Sequence, residues 1–194
     1  MSHLGSCMTA VTILDSIYAT KSPEEKVILS SGHAGLALYC VIEKYGGRNA
    51  EEIFEHHGVH PDRCDECGLA ASSGSLGHGI GIAVGMALSD RRKNVYCLMS
   101  DGECAEGSVW EALRIQKEQE LINLHLFFNL NGYAAYQEVD KGTLKDRLWS
   151  YEQLKNNFRI YETDVEELPF LKGQQGHYVT LTEETYKQAM EILK

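Results

Sequence analysis

The chain has 194 residues, of which 43% are hydrophobic and 24% charged, and its formal net charge at pH 7 is −10. That acidic balance argues against a nucleic-acid backbone or an anionic membrane surface as the main partner, because both are bound through basic patches. A long stretch without Asp, Glu, Lys or Arg, residues 68–89, is too rich in glycine and serine to span a bilayer. The length suits one domain over residues 1–194.

The start of the sequence has no basic region followed by an apolar run, so no secretory signal is expected. The six cysteines are therefore predicted to be reduced thiols of a cytoplasmic protein. Cys64 and Cys67 form a C-x-x-C motif with His57 and His60 nearby. We interpret them as ordinary loop cysteines and keep a zinc site and a redox pair as alternatives, because neither a second ligand pair nor a thioredoxin-like context is evident.

Apolar residues at helical spacing predict helices over residues 6–19 and 33–45. Residues 74–88, GSLGHGIGIAVGMAL, lack the register of a Walker loop or of a dinucleotide-binding loop. They read instead as a loop entering a helix with one apolar face and a second face marked by Gly77, Gly81 and Gly85. We expect this glycine stripe to pack closely against another helix or strand, either of this chain or of a second subunit.

Continuous apolar runs predict buried strands over residues 95–99 and 124–130, with a helix over 108–121 between them. Such a unit implies parallel strands and an α/β fold class. The last third of the chain is predicted to contain helices over 143–158 and 183–194 and short strands over 159–162 and 177–181.

Asp101 follows the first of these buried strands, and Asn131 follows the second. Because parallel strands end at the same edge of a sheet, both side chains are expected there, where open α/β sheets bind ligands. One carboxylate and one amide oxygen form part of a Mg²⁺ site that a diphosphate could complete. Gly102 and Gly132 would let the backbone approach the polyanion and donate amides to it. Alternatively, Asp101 caps a helix and Asn131 makes a turn.

Residues 100–113, SDGECAEGSVWEAL, followed by NLNG at 129–132, resemble the thiamine diphosphate motif of transketolase-like enzymes. Further blocks resemble transketolases in the same order: HLGSCMTAVTILDSIY from His3, SSGHAGLALY at 30–39, VHPD at 59–62 and SSGSLGHGIGIAVGMAL at 72–88. The resemblance covers His3 to Tyr133. It implies a three-layer thiamine-diphosphate-binding fold with a mainly parallel sheet flanked by helices.

The resemblance also implies roles for individual residues. The metal would be held by Asp101, Asn131 and the backbone carbonyl of Tyr133. Contacts to thiamine diphosphate would come from His33, Gly74, Ser75, Leu76, Asp101, Gly102, Glu103 and Asn131. Catalytic positions would be His3, His60 and His177 near the sugar, and Glu106 at a subunit interface close to the opposite cofactor.

Three features depart from the family pattern. Ser100 replaces the first glycine of the motif, and His78 stands where family members generally have Gln. Residues 134–167 do not align, and the region after them is shorter than in typical subunits.

The resemblance implies a subunit that transfers a two-carbon ketol unit between sugars or sugar phosphates. It implies a separate transketolase C-terminal-like subunit supplying the pyrimidine-binding domain and its catalytic glutamate, with two copies of each chain in a heterotetramer. The alternatives are a deoxyxylulose-phosphate-synthase-like or 2-oxo-acid decarboxylating component, or a non-catalytic scaffold that keeps the fold.

Overall fold

The fold is built on one sheet of four parallel strands that lie side by side in chain order. The computed structural model describes residues 3–151, 157–165, 168–173, 176 and 178–193. The strands are β1 (Lys26–Leu29), β2 (Val95–Ser100), β3 (Leu124–Leu130) and β4 (Phe158–Glu162). The predicted α/β class and the parallel pairing of the two central strands are confirmed.

Helices cover both faces of the sheet and make three layers. The α-helices within the described residues are α1 (Leu4–Tyr18), α2 (Gly35–Lys44), α3 (Ala50–His57), α4 (His78–Ser89), α5 (Gly107–Glu118), α6 (Lys141–Trp149) and α7 (Glu183–Ile192). Helices α1, α2 and α3 share one apolar core with the sheet, and α4, α5 and α6 share the other. Helix α7 contributes to a small third cluster beside the start of α1.

Strand β2 shows why the central strands could be recognised from the sequence. All of its residues are buried. Because side chains alternate along a strand, Tyr96 and Leu98 enter the core beneath α1 and α2, whereas Cys97 and Met99 enter the core beneath α4 and α5. A strand covered on both faces must be apolar throughout, which produces the continuous run in the sequence.

Two predictions about the last third of the chain are wrong. The helix predicted over 143–158 ends at Trp149, and Phe158 already belongs to β4; residues 152–156 lie outside the described part. The strand predicted over 177–181 is not formed by residues 178–181, and residue 177 is not described. Its residues favour a strand by type, but Thr182 instead begins α7 through a capping box with Thr185.

The glycine stripe of α4 has close neighbours at one end only. A Cβ atom at Gly77 would lie 2.5 Å from the Ser108 hydroxyl and 2.8 Å from the Glu106 Cβ. At Gly81 and Gly85 it would meet nothing within 4 Å in the described part of the chain. The predicted close packing is therefore found for Gly77 against the start of α5, while the other two glycines lie on an open surface.

None of the helices within the described ranges combines the length and apolar character needed to cross a membrane.

Candidate functional site

A cavity of about 200 Å³ opens at the carboxyl-end edge of the sheet. It lies next to Ser100, the last residue of β2, and Asn131, the residue after β3. Eight residues predicted to carry the site line it together: His3, His33, His60, Gly74, Leu76, Gly102, Asn131 and Tyr133. The cavity is therefore at the edge where the sequence predicted a ligand.

Three histidines from separate parts of the chain meet in this cavity. His3 precedes α1, His33 lies in the short 3₁₀ turn that follows β1, and His60 belongs to the loop after α3. The rings of His3 and His33 are 5.2 Å apart between centroids and lie edge to face. The cavity wall thus presents several imidazole groups, the side chain most often used for general acid–base chemistry.

Glycines allow the His33 and His60 loops to approach each other. Gly74 has φ +145°, and a Cβ there would lie 2.9 Å from the Cδ2 atom of His60. A Cβ at Gly32 would lie 2.6 Å from the amide nitrogen of Gly74. Real Cβ atoms do not come so close, so any larger residue would push these loops apart.

The Asp101 side chain is the buried acid of the site. It is 2% exposed, and its two oxygens accept hydrogen bonds from the backbone N–H groups of Gly102 (3.0 Å) and Gly132 (2.6 Å). Burial raises the pKa of this carboxyl from 3.8 to about 6, against the lowering effect of the two amides and of the charge on Lys141. The two amides thus hold the carboxylate in position, and the neighbouring groups do not fully offset the cost of burying its negative charge.

These hydrogen bonds correct one expectation. Gly102 and Gly132 were predicted to donate their amides to a bound polyanion, but both amides are occupied by Asp101. The buried carboxylate draws them because unpaired charge is costly away from water. Gly132 has φ +90°, so it supplies the sharp turn that brings its amide to Asp101.

Asn131 completes this corner of the cavity. Its Oδ1 atom accepts a hydrogen bond from the Tyr133 amide at 3.0 Å, and Tyr133 pairs with Glu138 in an isolated antiparallel bridge. The side chain is 9% exposed. The turn interpretation and the metal interpretation of Asn131 are therefore compatible, because the amide oxygen has a second lone pair.

Glu103 is placed in a different environment from the other predicted cofactor residues. It is fully buried and does not line the cavity. Its carboxyl group accepts hydrogen bonds from the Ser30 hydroxyl (2.5 Å) and from the amides of Gly77 (3.0 Å) and Ser100 (3.1 Å). Burial raises its pKa. Glu103 ties together the ends of β1 and β2 and the start of α4.

The remaining predicted residues lie away from the cavity or outside the described part. Ser75 is exposed in the loop before α4 and is not among the lining residues. Glu106 is exposed at the start of α5, beside Gly77. His177 lies outside the described residues, so its catalytic role stays a prediction.

Sequence reasoning did not assign a role to several residues around Asn131. Ser100 was noted only as a departure, yet it lines the cavity with Ala134 and Ala135. An adjoining cavity of about 380 Å³ also includes Asn131 and Tyr133 and contains Lys141, a cation beside the acidic corner. Lys141 lies in the segment that does not align with the family, so no motif marked it.

The donor set fits Mg²⁺ and a diphosphate. A carboxylate, an amide oxygen and a backbone carbonyl are the hard oxygen ligands that Mg²⁺ prefers, and it usually takes its other ligands from water and phosphate. Asp101 is buried with a raised pKa, so a divalent cation would relieve an unfavourable charge. Lys141 and the imidazoles supply further groups suited to an anion.

Known proteins that resemble this chain include transketolases and transketolase family proteins. The chain is 39% identical over 133 residues to a transketolase family protein of Sinorhizobium fredii, covering 61% of this chain and 47% of that protein. It is 29% identical to human transketolase over an alignment of 203 positions, covering 92% of this chain and 32% of that protein. The chain thus spans less than half the length of these relatives.

Solved structures show the same fold. Campylobacter jejuni transketolase superposes with a TM-score of 0.68 at 20% identity, over 86% of this chain and 34% of that one. Leishmania mexicana transketolase gives a TM-score of 0.59 at 17% identity. A family model described as the transketolase thiamine diphosphate-binding domain matches residues 15–169. The chain therefore belongs to the thiamine diphosphate-binding domain family of transketolases.

Proposed function

We propose that this chain binds thiamine diphosphate through Mg²⁺ and serves as a subunit of a transketolase-like enzyme that transfers a two-carbon ketol unit between sugars. The observation that carries the proposal is the meeting of three histidines with Asn131 and Gly102 in one cavity at the carboxyl-end edge of the sheet. The Asp101 carboxylate is buried next to this wall and accepts hydrogen bonds from the amides of Gly102 and Gly132. Such a cavity combines the proposed metal ligand Asn131 with histidines that are suited to proton transfer.

Each group has a part in this proposal. The Mg²⁺ is held by Asp101, Asn131 and the Tyr133 carbonyl. Hydrogen bonds from the amides of Gly102 and Gly132 keep the Asp101 carboxylate in position. Bound thiamine diphosphate supplies a thiazolium ring that stabilises carbanions. His33, Gly74 and Leu76 contact the cofactor.

The other histidines act on the sugar. His3 and His60 orient its hydroxyl groups and move protons to and from them. His177 is proposed to assist near the diphosphate.

We also propose that residues 1–194 form a single domain that needs a partner subunit carrying the pyrimidine-binding domain. The matched family model describes the thiamine diphosphate-binding domain, and the relatives are much longer. The open surface at Gly81 and Gly85, continuous with Glu106 through Gly77, is the place where we put that partner. Two copies of each subunit would bring both sites together. We place the enzyme in the cytoplasm, since all six cysteines are free.

Calorimetric titration of thiamine diphosphate, with and without Mg²⁺, tests the cofactor assignment. Asp101→Ala should weaken Mg²⁺-dependent binding at least about tenfold, a loss of about 1.4 kcal/mol. Glu183→Ala removes the same charge from an exposed residue and should leave the affinity unchanged. Equal affinities of the two variants would contradict the metal assignment. If the wild type does not bind thiamine diphosphate even with its partner present, the scaffold alternative is favoured.

A further inference from the structure

A second group of metal-ligating side chains lies outside the cavity. His57, Cys64 and Cys67 bring their ligand atoms within 4.8 Å of one another. The His57 Nε2 atom is 3.4 Å from the Cys67 Sγ atom, and the two Sγ atoms are 2.6 Å apart. We call these three residues the thiol–imidazole cluster.

Two segments bring the residues of this cluster together: the end of α3 and the turn that follows Cys64. His57 is the last residue of α3, whose first turn is capped by the Asn49 side chain. Cys64 pairs with Leu69 in an isolated antiparallel bridge, with hydrogen bonds of 3.0 and 2.9 Å between their backbones. Gly68, at φ +76°, turns the chain between them. The two thiols therefore point to one place because of the turn, not because of flexible side chains.

The surroundings of Cys67 act on its thiol in opposite directions: burial and the hydrogen bond with Cys64 raise its pKa, and the Arg48 guanidinium lowers it. The Cys67 amide donates a hydrogen bond to the Cys64 sulfur at 3.2 Å. The Arg48 guanidinium lies 4.0 Å from the Cys67 sulfur. The Arg48 cation offsets part of the effect of burial on Cys67, and a bound metal ion displaces the thiol protons of its ligands.

Two sulfurs and one imidazole nitrogen select a soft or borderline cation over Mg²⁺ or Ca²⁺. In a tetrahedral zinc site with bond lengths of about 2.3 Å to sulfur and 2.0 Å to nitrogen, neighbouring ligand atoms lie roughly 3.5–3.8 Å apart. The imidazole–sulfur distance already matches, and the sulfurs need to separate by about 1 Å. Cys67 is buried, whereas His57 and Cys64 are half-buried, so the fourth position can face water.

We propose that His57, Cys64 and Cys67 bind Zn²⁺, with water as the fourth ligand. The ion would link the loop after α3, through Cys64 and Cys67, to the last residue of that helix, His57. This loop carries His60 and is hydrogen-bonded to the segment leading to Gly74, through Arg63 N–H to the Ser72 hydroxyl (2.9 Å) and Ser73 N–H to the Pro61 carbonyl (3.0 Å). Zinc would thus fix one wall of the cavity without touching a ligand bound there.

Metal analysis of the full chain, expressed without a histidine tag and purified with a thiol reductant, tests the proposal. We expect stoichiometric zinc by mass spectrometry of the metal, and competition with a chromogenic chelator gives its affinity. Cys64→Ser and His57→Ala should each lower the affinity about a hundredfold or more, because one of the three protein ligands is lost. Cys40→Ser alters an exposed cysteine outside the cluster and should bind zinc as the wild type does.

A second measurement uses the wild-type protein, so it tests the proposal even if the variants fail to fold. Wild-type protein loaded with Co²⁺ in place of zinc should show sulfur-to-metal charge-transfer absorption and the visible bands of a tetrahedral site. Absence of stoichiometric zinc binding or of these bands, or equal zinc affinity in all variants, would overturn the proposal. A Cys64–Cys67 disulfide in protein kept under reductant would also overturn it, in favour of a redox pair. None of these readouts depends on thiamine diphosphate, so they can fail independently of the proposed function.

Discussion

Asp101 is almost fully buried, yet the proposed role in cation binding requires it to be charged. Burial raises its pKa to about 6, from 3.8 for an exposed carboxyl. The folded apoprotein therefore holds this proton more tightly than the unfolded chain. The stability contributed by the protonated form is present below pH 3.8 and is lost as the pH rises through about 6.

The proposed metal binding would have the opposite pH dependence, because Mg²⁺ requires the carboxylate. We predict that Mg²⁺-dependent affinity for thiamine diphosphate is constant above a pH of about 6 and falls roughly tenfold per pH unit below it. Titration calorimetry across this range measures the profile, and buffers of different ionisation enthalpy report the protons released.

The cofactor's own diphosphate also takes up protons, so Asp101→Asn serves as the reference for that effect. Its residual profile should be shallower than that of the wild type. Identical profiles for the two proteins would show that Asp101 does not titrate on binding.

Glu103 belongs to the same motif but acts within the fold. Glu103→Ala should lower the free energy of unfolding by about 3 kcal/mol, because it leaves three donors from Ser30, Gly77 and Ser100 without their acceptor. Urea denaturation measures the change. Glu106→Ala, three residues along and exposed, should stay within about 0.5 kcal/mol of the wild type. Similar losses in both variants would contradict the assignment of Glu103 as the buried link.

Helix α4 shows how one element can have a packed end and an open face. Gly81→Leu should leave the melting temperature of the chain unchanged or slightly higher, because Leu is favoured over Gly in a helix by about 0.5–1 kcal/mol and nothing lies within 4 Å of the new Cβ. The same change should abolish association with the partner subunit, measured by the mass of the assembly in solution.

Gln188→Leu is the matched control, since it places the same side chain on the exposed surface of α7. It should associate normally. Association of Gly81→Leu at wild-type affinity would move the interface away from this face.

The elements also show what the sequence could and could not predict. Strands β2 and β3 were located within one residue because burial on both faces forces a continuous apolar run. Strand β1 was missed because it has only four residues, and α3 was missed because only Ala50 and Ile53 of it are buried. Short elements leave too few constrained positions to form a pattern.

Some residues of the site could likewise be predicted from the sequence and others could not. His33, His60 and Asn131 could be placed in one cavity because each lies in a recognisable block or at a strand end. The hydrogen bond from the Gly102 amide to Asp101 is the helix cap that the sequence offered as an alternative. The bond from the Gly132 amide could not be predicted, because it depends on which donors three-dimensional folding brings to a buried charge. Lys141 was equally hidden, since nothing local distinguishes it from a surface lysine.

At the scale of the whole molecule, we predict that the chain binds the cofactor but does not turn over sugars alone. Purified chain with thiamine diphosphate and Mg²⁺ should show neither ketol transfer nor accelerated exchange of the thiazolium carbon-bound proton. Both should appear when a polypeptide resembling the remaining part of transketolase is added. Full exchange and turnover by the chain alone would mean that one of its own acids activates the cofactor.

The hydrogen bond from the Asn129 amide to the Thr9 hydroxyl joins α1 to β3 across 120 residues of sequence. Helix α1 is translated before β3, so part of its buried face has no partner until β3 has been made. At about 5–20 residues per second that delay lasts roughly 6–24 seconds. During biosynthesis part of the apolar face of α1 therefore stays uncovered for that time, and the docking of α1 onto β3 is a late event in folding.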